Sequence, residues 1–352
     1  MSENNLFRQP AYRLAQMVRD NQITPTELVE FAYNQIDRLN PALNAVISQR
    51  RAKALAEAAQ LTDQGQPFLG VPILLKGLGQ SLAGEPSTNA NKLFQDNIAT
   101  VTSNYTRQLQ AAGFIVIGQT NFPEFGFKNV TDSQMYGDAK NPFNIDYSPG
   151  GSSGGAASAL ASGMVPIASA SDGGGSIRIP ASWSGLIGLK PTRGRMPMGP
   201  SDWRSWQGAS INFALTRSVT DTALFLEVMQ VLQPAAVFQA PLIKPGLTNR
   251  LTSPNRHIKI GYLTQSPVGT PVVPEAQAAV INAVDFLRQA GYTVEEVAWS
   301  TDGDALIRSY YTMNAGETAN MFKEIEAAIG RSVTQDDMEL LTWALYQTGL
   351  NI

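Results

Sequence analysis

Between Tyr147 and Arg195 the chain reads YSPGGSSGGAASALASGMVPIASASDGGGSIRIPASWSGLIGLKPTRGR, which sets serines inside two glycine clusters joined by an apolar segment. Glycine lets the backbone approach a substrate closely and turn its amides inward, as an oxyanion hole requires. In Asp172-Gly173-Gly174-Gly175-Ser176 this makes Ser176 the strongest nucleophile candidate. Each amide aimed at a developing oxyanion contributes roughly 3 kcal/mol of transition-state stabilisation. The earlier cluster, Gly150-Gly151-Ser152-Ser153-Gly154-Gly155, runs into AASALASGM, whose small residues suit a helix packed closely against its neighbours. Amides exposed at such a helix start favour anions. A phosphate loop is nevertheless disfavoured, because there is no GxxxxGK[ST] and no clean GxGxxG after a Val/Ile strand. A flexible linker is disfavoured too, since apolar segments adjoin both clusters.

The chain has no cysteine and a single histidine, His257. That excludes a cysteine nucleophile and any zinc site with two or more Cys or His ligands. His257 opens HIKIGYL after the turn-rich TSPNR and reads as an ordinary residue at the edge of a short buried strand. An activated serine here would therefore take lysine as its base. Lys76, in Ile73-Leu74-Leu75-Lys76-Gly77-Leu78, taken alone reads as a lysine snorkelling from a strand end. If it is buried, desolvation disfavours its ammonium and lowers its pKa from about 10.4 towards the range where a neutral amine accepts a proton.

Helical and strand patterns alternate around these residues. Thr24-Pro25-Thr26-Glu27 is a helix start, with Thr24 as cap, Pro25 in the first turn and Glu27 three residues after the cap. LNAVIS is strand-like, residues 50–63 are helical, VPILLKG is an apolar run, Tyr105 to Ala112 is helical, and FIVIG is a buried strand. Beyond them come a helix at 219–232, a strand at HIKIGYL, a helix at 273–289, a strand at YTVEEV and helices to the end. The alternation predicts an α/β fold, with a mixed or mainly parallel sheet covered by helices.

Apolar residues make up 43% of the 352 and charged residues 16%, a globular composition with material for a core and disorder expected only in MSENNLF. With 26 basic and 29 acidic residues, a net charge of −3 and no basic run, nucleic acid and membrane surfaces are disfavoured as partners. No N-terminal apolar segment follows a basic start, so the expected location is the cytoplasm. The last 23 residues begin like a capped helix and stop soon after an apolar face, which suggests a shortened chain, with a natural terminal helix as the alternative.

GVPILLKG, SPGGSSGG, SDGGGSIRIPAS and GLIGLKPTRGR, in that order, resemble the amidase signature family of serine amidohydrolases. The resemblance covers residues 10–235 and, more loosely, the remainder. It implies one large domain over 1–352 with a mixed central sheet, helices on both faces and a C-terminal part missing. It also implies a Ser-Ser-Lys triad: Lys76 as base, Ser152 as bridging serine after a cis peptide bond, and Ser176 as nucleophile. Ser153 would hold the lysine from behind, the amides of Gly173, Gly174 and Gly175 would form the oxyanion hole, and Asp172 and Arg178 would brace the loop. The reaction implied is hydrolysis of a small-molecule amide through an acyl-enzyme, with no metal or organic cofactor, and a homodimer is the default assembly.

The chain departs from the family pattern at Gly77, where an aspartate usually follows the lysine, and at Gly173, where a larger residue is common. The first leaves Lys76 less firmly oriented and the second makes the oxyanion loop more mobile. Two other readings stay open: the A subunit of a tRNA-dependent amidotransferase, and an inactive truncated amidase homologue. The aromatic stretches 121–136 and Trp203 to Phe213 could line an apolar acyl or aryl pocket or belong to the core.

Overall fold

A computed structural model describes residues 3–352. These form two compact units, one running to Thr248 and including Ser332–Trp343, the other made of Asn249–Arg331 and Ala344–Ile352. The strands are β1 (Val46–Gln49), β2 (Pro72–Lys76), β3 (Ile115–Thr120), β4 (Asp132–Ser133), β5 (Gly137–Asp138), β6 (Ala168–Asp172), β7 (Ile187–Gly188), β8 (Ile211–Thr216), β9 (Lys259–Tyr262) and β10 (Thr293–Glu296). The helices are α1 (Ala11–Arg19), α2 (Pro25–Leu43), α3 (Arg51–Gln60), α4 (Asn104–Ala111), α5 (Gly154–Ser162), α6 (Arg178–Trp183), α7 (Val219–Met229), α8 (Pro274–Gln289), α9 (Gly303–Ile329) and α10 (Leu340–Gly349).

The first unit is built on a six-stranded sheet of order β1-β3-β2-β6-β8-β7. β2 runs parallel to both β3 and β6, whereas β1, β7 and β8 join antiparallel, so the sheet is mixed. Every residue of β2, β3 and β6 is buried. Successive side chains on a strand point to opposite faces, so both faces of these central strands are covered. This explains why FIVIG and PILLK read as unbroken apolar runs rather than alternating ones. Parallel strands present their carboxyl ends along one edge, the usual place for a site in such a sheet. Here that edge carries Lys76 at the end of β2 and Ser171 and Asp172 at the end of β6.

Local chemistry sets the elements where the sequence marks them. The Thr24 hydroxyl accepts from the Glu27 amide at 3.2 Å, and the Glu27 carboxylate accepts from the Thr24 amide at 2.7 Å, a reciprocal cap for α2. Two expectations change. In MSENNLF, residues Glu3–Arg8 form a 3-10 helix, and Phe7 is buried edge-on against Phe31 at 4.7 Å; Met1 and Ser2 lie outside the described residues. HIKIGYL is not a buried strand: β9 is partly exposed, pairs among the described residues with β10 alone, in the second unit, and leaves His257 exposed before its first residue. A two-stranded ribbon has too few neighbours to cover both of its faces.

Two glycines let elements around the site come together. A side chain at Gly155 in α5 would strike the backbone amide of Asn121 and come within 2.6 Å of the Ala45 carbonyl, so α5 lies directly against the chain leaving β3. A side chain at Gly77 would collide with the ring of Phe122, which is fully buried and fills the space beside the end of β2. The aspartate common at this position in the family therefore has no room here. Overpacking of this kind costs about 1–3 kcal/mol, and more where backbone must yield. Gly155→Ala is expected to lose at least about 3 kcal/mol in urea unfolding, because rigid backbone blocks the methyl. Gly77→Ala is expected to lose about 2 kcal/mol, and Phe122→Leu in the same chain to recover part of it, since the obstacle there is a side chain.

Candidate active site

Lys76 is 1% exposed, and its amine donates to Ser152 Oγ at 2.8 Å and to Ser171 Oγ at 2.9 Å. Burial pulls its pKa down to about 7, against the opposing pull of the Asp172 charge. Its backbone amide donates to Gln80 Oε1 at 2.9 Å. Gln80 is itself buried, accepts from Ser169 Oγ at 2.6 Å, and donates to the Ala170 carbonyl and Asn212 Oδ1. One amide side chain thus ties the end of β2 to β6 and β8. Lys76 is firmly oriented without an aspartate at position 77.

The first serine cluster forms a tight turn leading into α5. The Gly151–Ser152 peptide bond is cis, and Gly150 has φ of 84°. Thr131 fixes the turn: its hydroxyl donates to the Gly150 carbonyl at 2.9 Å and accepts from the Gly154 amide at 3.1 Å. From the other side Gly126 leaves no room for a side chain, since one would meet Leu78 and come within 3.1 Å of Ser152 Oγ. Ser153 makes no direct bond to the lysine amine and stands one step behind it, through Ser171. Its hydroxyl donates to the Ser171 carbonyl at 3.2 Å and accepts from the Ser171 amide at 3.3 Å, so it acts on the strand that presents Ser171.

The second cluster is organised by Asp172, which is fully buried. Its carboxylate accepts from the Gly175 amide at 2.8 Å and the Ile177 amide at 3.1 Å, on either side of Ser176. It also receives a two-pronged contact from Arg178, with Nε and one terminal nitrogen each at 2.9 Å. Burial alone would push the Asp172 carboxyl up, but the Arg178 guanidinium and the two amides outweigh it and hold the group below the usual carboxylate range. The Gly175 amide is thereby committed to Asp172 rather than to an oxyanion. Among the described residues, the amides of Gly173, Gly174 and Ser176 donate to no protein acceptor. Gly175 has φ of 130°, a conformation that favours glycine. Gly173 lies against Trp206, whose ring a side chain there would approach to 3.3 Å, so the bulk absent at position 173 is supplied by the indole.

Ser176 is half-buried, and its hydroxyl has no hydrogen-bond partner among the described residues. The structure brings Lys76 and Ser152 into direct contact and leaves Ser176 unbonded to either. Sequence reasoning missed Ser171 and Gln80. Ser171 carries a faint signal, lying one residue before Asp172 in a strand otherwise made of small residues. The aromatic stretches divide between wall and core. Phe125 and Phe127 lie 5.7 Å apart, Phe127 and Trp206 5.4 Å, and this row passes beside Gly126 and Gly173. Phe122 and Phe213 are fully buried.

Comparison with known proteins identifies the family. The family profile described as Amidase matches residues 27–346, which extends over both units. A lipoamidase of Enterococcus faecalis is 47% identical over 355 residues, covering 100% of this chain, and the chain spans 46% of that relative's length. A 6-aminohexanoate-cyclic-dimer hydrolase of Paenarthrobacter ureafaciens is 34% identical over 98% of the chain and 70% of its own length. Among solved structures, a 6-aminohexanoate cyclic dimer hydrolase complexed with substrate superposes with a TM-score of 0.93 at 32% identity, over 99% of this chain and 73% of the other. No helix among the described residues is long and apolar enough to cross a membrane. A lysine buried between two serines, a turn with a cis Gly–Ser bond and a glycine loop clamped by an aspartate occur here in one mixed sheet, and this chain belongs to the amidase signature family.

Proposed function

We propose that this protein is a serine amidohydrolase that cleaves a carboxylic amide C–N bond through an acyl-enzyme on Ser176. The contact between the buried Lys76 amine and Ser152 Oγ carries this reading, because an amine titrating near pH 7 is a competent base at neutral pH. Neutral Lys76 takes the Ser152 proton, Ser152 takes the Ser176 proton, and Ser176 Oγ attacks the amide carbon. The negative charge that develops on the carbonyl oxygen meets the amides of Gly173 and Gly174, which the protein leaves unused. The same relay returns a proton to the departing nitrogen, which is a poor leaving group without one. Water then enters by the same route, and its attack on the acyl ester releases the acid and restores Ser176.

The relay needs the Ser152 and Ser176 hydroxyls to meet. Side-chain rotation that tightens catalytic hydrogen bonds on substrate binding is common, so the unbonded Ser176 is compatible with the role. The relatives named lipoamidase and 6-aminohexanoate-cyclic-dimer hydrolase support amide rather than ester chemistry. The family profile, which runs through both units, supports treating residues 1–352 as one amidase signature domain.

Hydrolysis of aryl and alkyl amides is expected, together with a single fluorophosphonate adduct on Ser176 seen by mass spectrometry. Both should vanish in Ser176→Ala, and Lys76→Met should lower kcat/KM by about 10²–10⁴-fold while remaining folded. A folded chain that neither turns over nor labels would overturn the reading in favour of a partner-dependent or inactive homologue. The pH profile has a defined sign. The lysine pKa is lowered and the neutral amine is the active form, so kcat/KM should rise with pH, with a midpoint near 7, and then level off. Ser171→Ala removes an acceptor that favours the ammonium. It should move that midpoint to lower pH and reduce kcat by roughly tenfold, whereas a purely structural role would leave the midpoint in place.

A further inference from the structure

Next to the oxyanion loop the first unit holds a cavity of about 490 Å³, lined by Gly173, Arg178, Lys190, Arg193, Gly208, Ala209 and Ile211. Gly173 and Arg178 belong to the loop that carries Ser176, so the cavity adjoins the site of bond cleavage. Three of its lining residues are cationic and none is acidic. Only Arg178 is neutralised, by the buried Asp172. The Lys190 amine donates to the Pro191 carbonyl at 2.8 Å, and the Arg193 guanidinium lies over the Phe238 ring at 5.0 Å. Neither makes an ion pair among the described residues, and neither contact uses up its charge.

Two uncompensated cations facing one cavity raise the local concentration of anions and favour a ligand that brings its own negative charge. Arg193 offers a planar fork suited to a carboxylate, with Lys190 as a point charge beside it. We propose that this cavity receives a carboxylate carried by the amide substrate, so that Lys190 and Arg193 select anionic amides over neutral ones of the same shape. The inference rests on the amidase reading for the identity of the ligand, and it concerns recognition rather than bond cleavage.

Binding to Ser176→Ala protein, in which no turnover occurs, tests it apart from the chemistry. Two probe pairs place the charge on either side of the amide: the mono-anilide of glutaric acid against hexananilide, and 4-acetamidobenzoate against 4-methylacetanilide. By calorimetry at low salt, the anionic member of at least one pair should bind about tenfold more tightly than its neutral partner. High salt should narrow the difference. It should disappear in Ser176→Ala/Lys190→Met/Arg193→Gln protein, with affinity for the neutral member unchanged, and Lys190→Arg should retain it. The single variants Lys190→Met and Arg193→Gln, checked by circular dichroism, should each lose part of it should the combined variant fold poorly. Equal affinity within both pairs, no binding of either anionic probe, or a preference that survives both single substitutions and high salt would overturn the proposal. Hydrolysis of the neutral anilides by the unsubstituted protein reports separately on the amidase reading.

Discussion

The first unit is arranged around a lysine amine kept out of water. An ammonium in such a place is costly, and the amine gives up its proton near neutrality because burial removes the hydration that would stabilise its charge. That condition depends on the covering of both faces of β2 and on Gln80, Ser152 and Ser171, which supply polar contact without supplying negative charge. A carboxylate within reach would restore the ammonium. The nearest one, Asp172, is already occupied by Arg178 and two backbone amides. The aspartate–arginine pair therefore shapes the loop that carries Ser176 and also keeps a buried charge from capturing the lysine.

Much of this was legible in the sequence, because the chemistry is concentrated in short stretches whose composition is unusual. The two glycine–serine clusters, the apolar run ending in Lys76 and the capped start of α2 each announce themselves through local rules. Contacts between stretches distant in sequence were not legible. Ser171 looks like one more small residue in a strand, and only the register of β6 against β2 brings its hydroxyl to the amine. Gln80 has no signature at all, since its role comes from lying where three strands converge.

The same limit explains the readings that changed. Ser153 adjoins Ser152 in sequence, and the turn sends its hydroxyl to the backbone of Ser171, so its path to the lysine runs through a residue that the sequence did not mark. Gly175 belongs to the glycine run, yet its amide faces the carboxylate three residues before it. Gly77 and Gly173 read as missing bulk, and the compensating bulk comes from Phe122 and Trp206, far along the chain. His257 precedes a run that looks like core by composition, while its strand has only one partner and lies partly open. In each case a contact in space, or the lack of one, decided the outcome over the local sequence pattern.

The polar groups around the amine are nearly all serines, and a serine has a single side-chain torsion. Assembling Ser152, Ser153 and Ser171 therefore costs little rotamer entropy beyond what the backbone has already lost. Lys76 is the long, flexible chain among the groups at the amine, with roughly 2 kcal/mol of its own rotamer freedom to lose. The positional order of the site accordingly resides in the path of the main chain through the Gly150–Gly155 turn and the end of β6, more than in side-chain rotamers. Such a site is robust to thermal rotation of its members and vulnerable to small displacements of the strands that carry them.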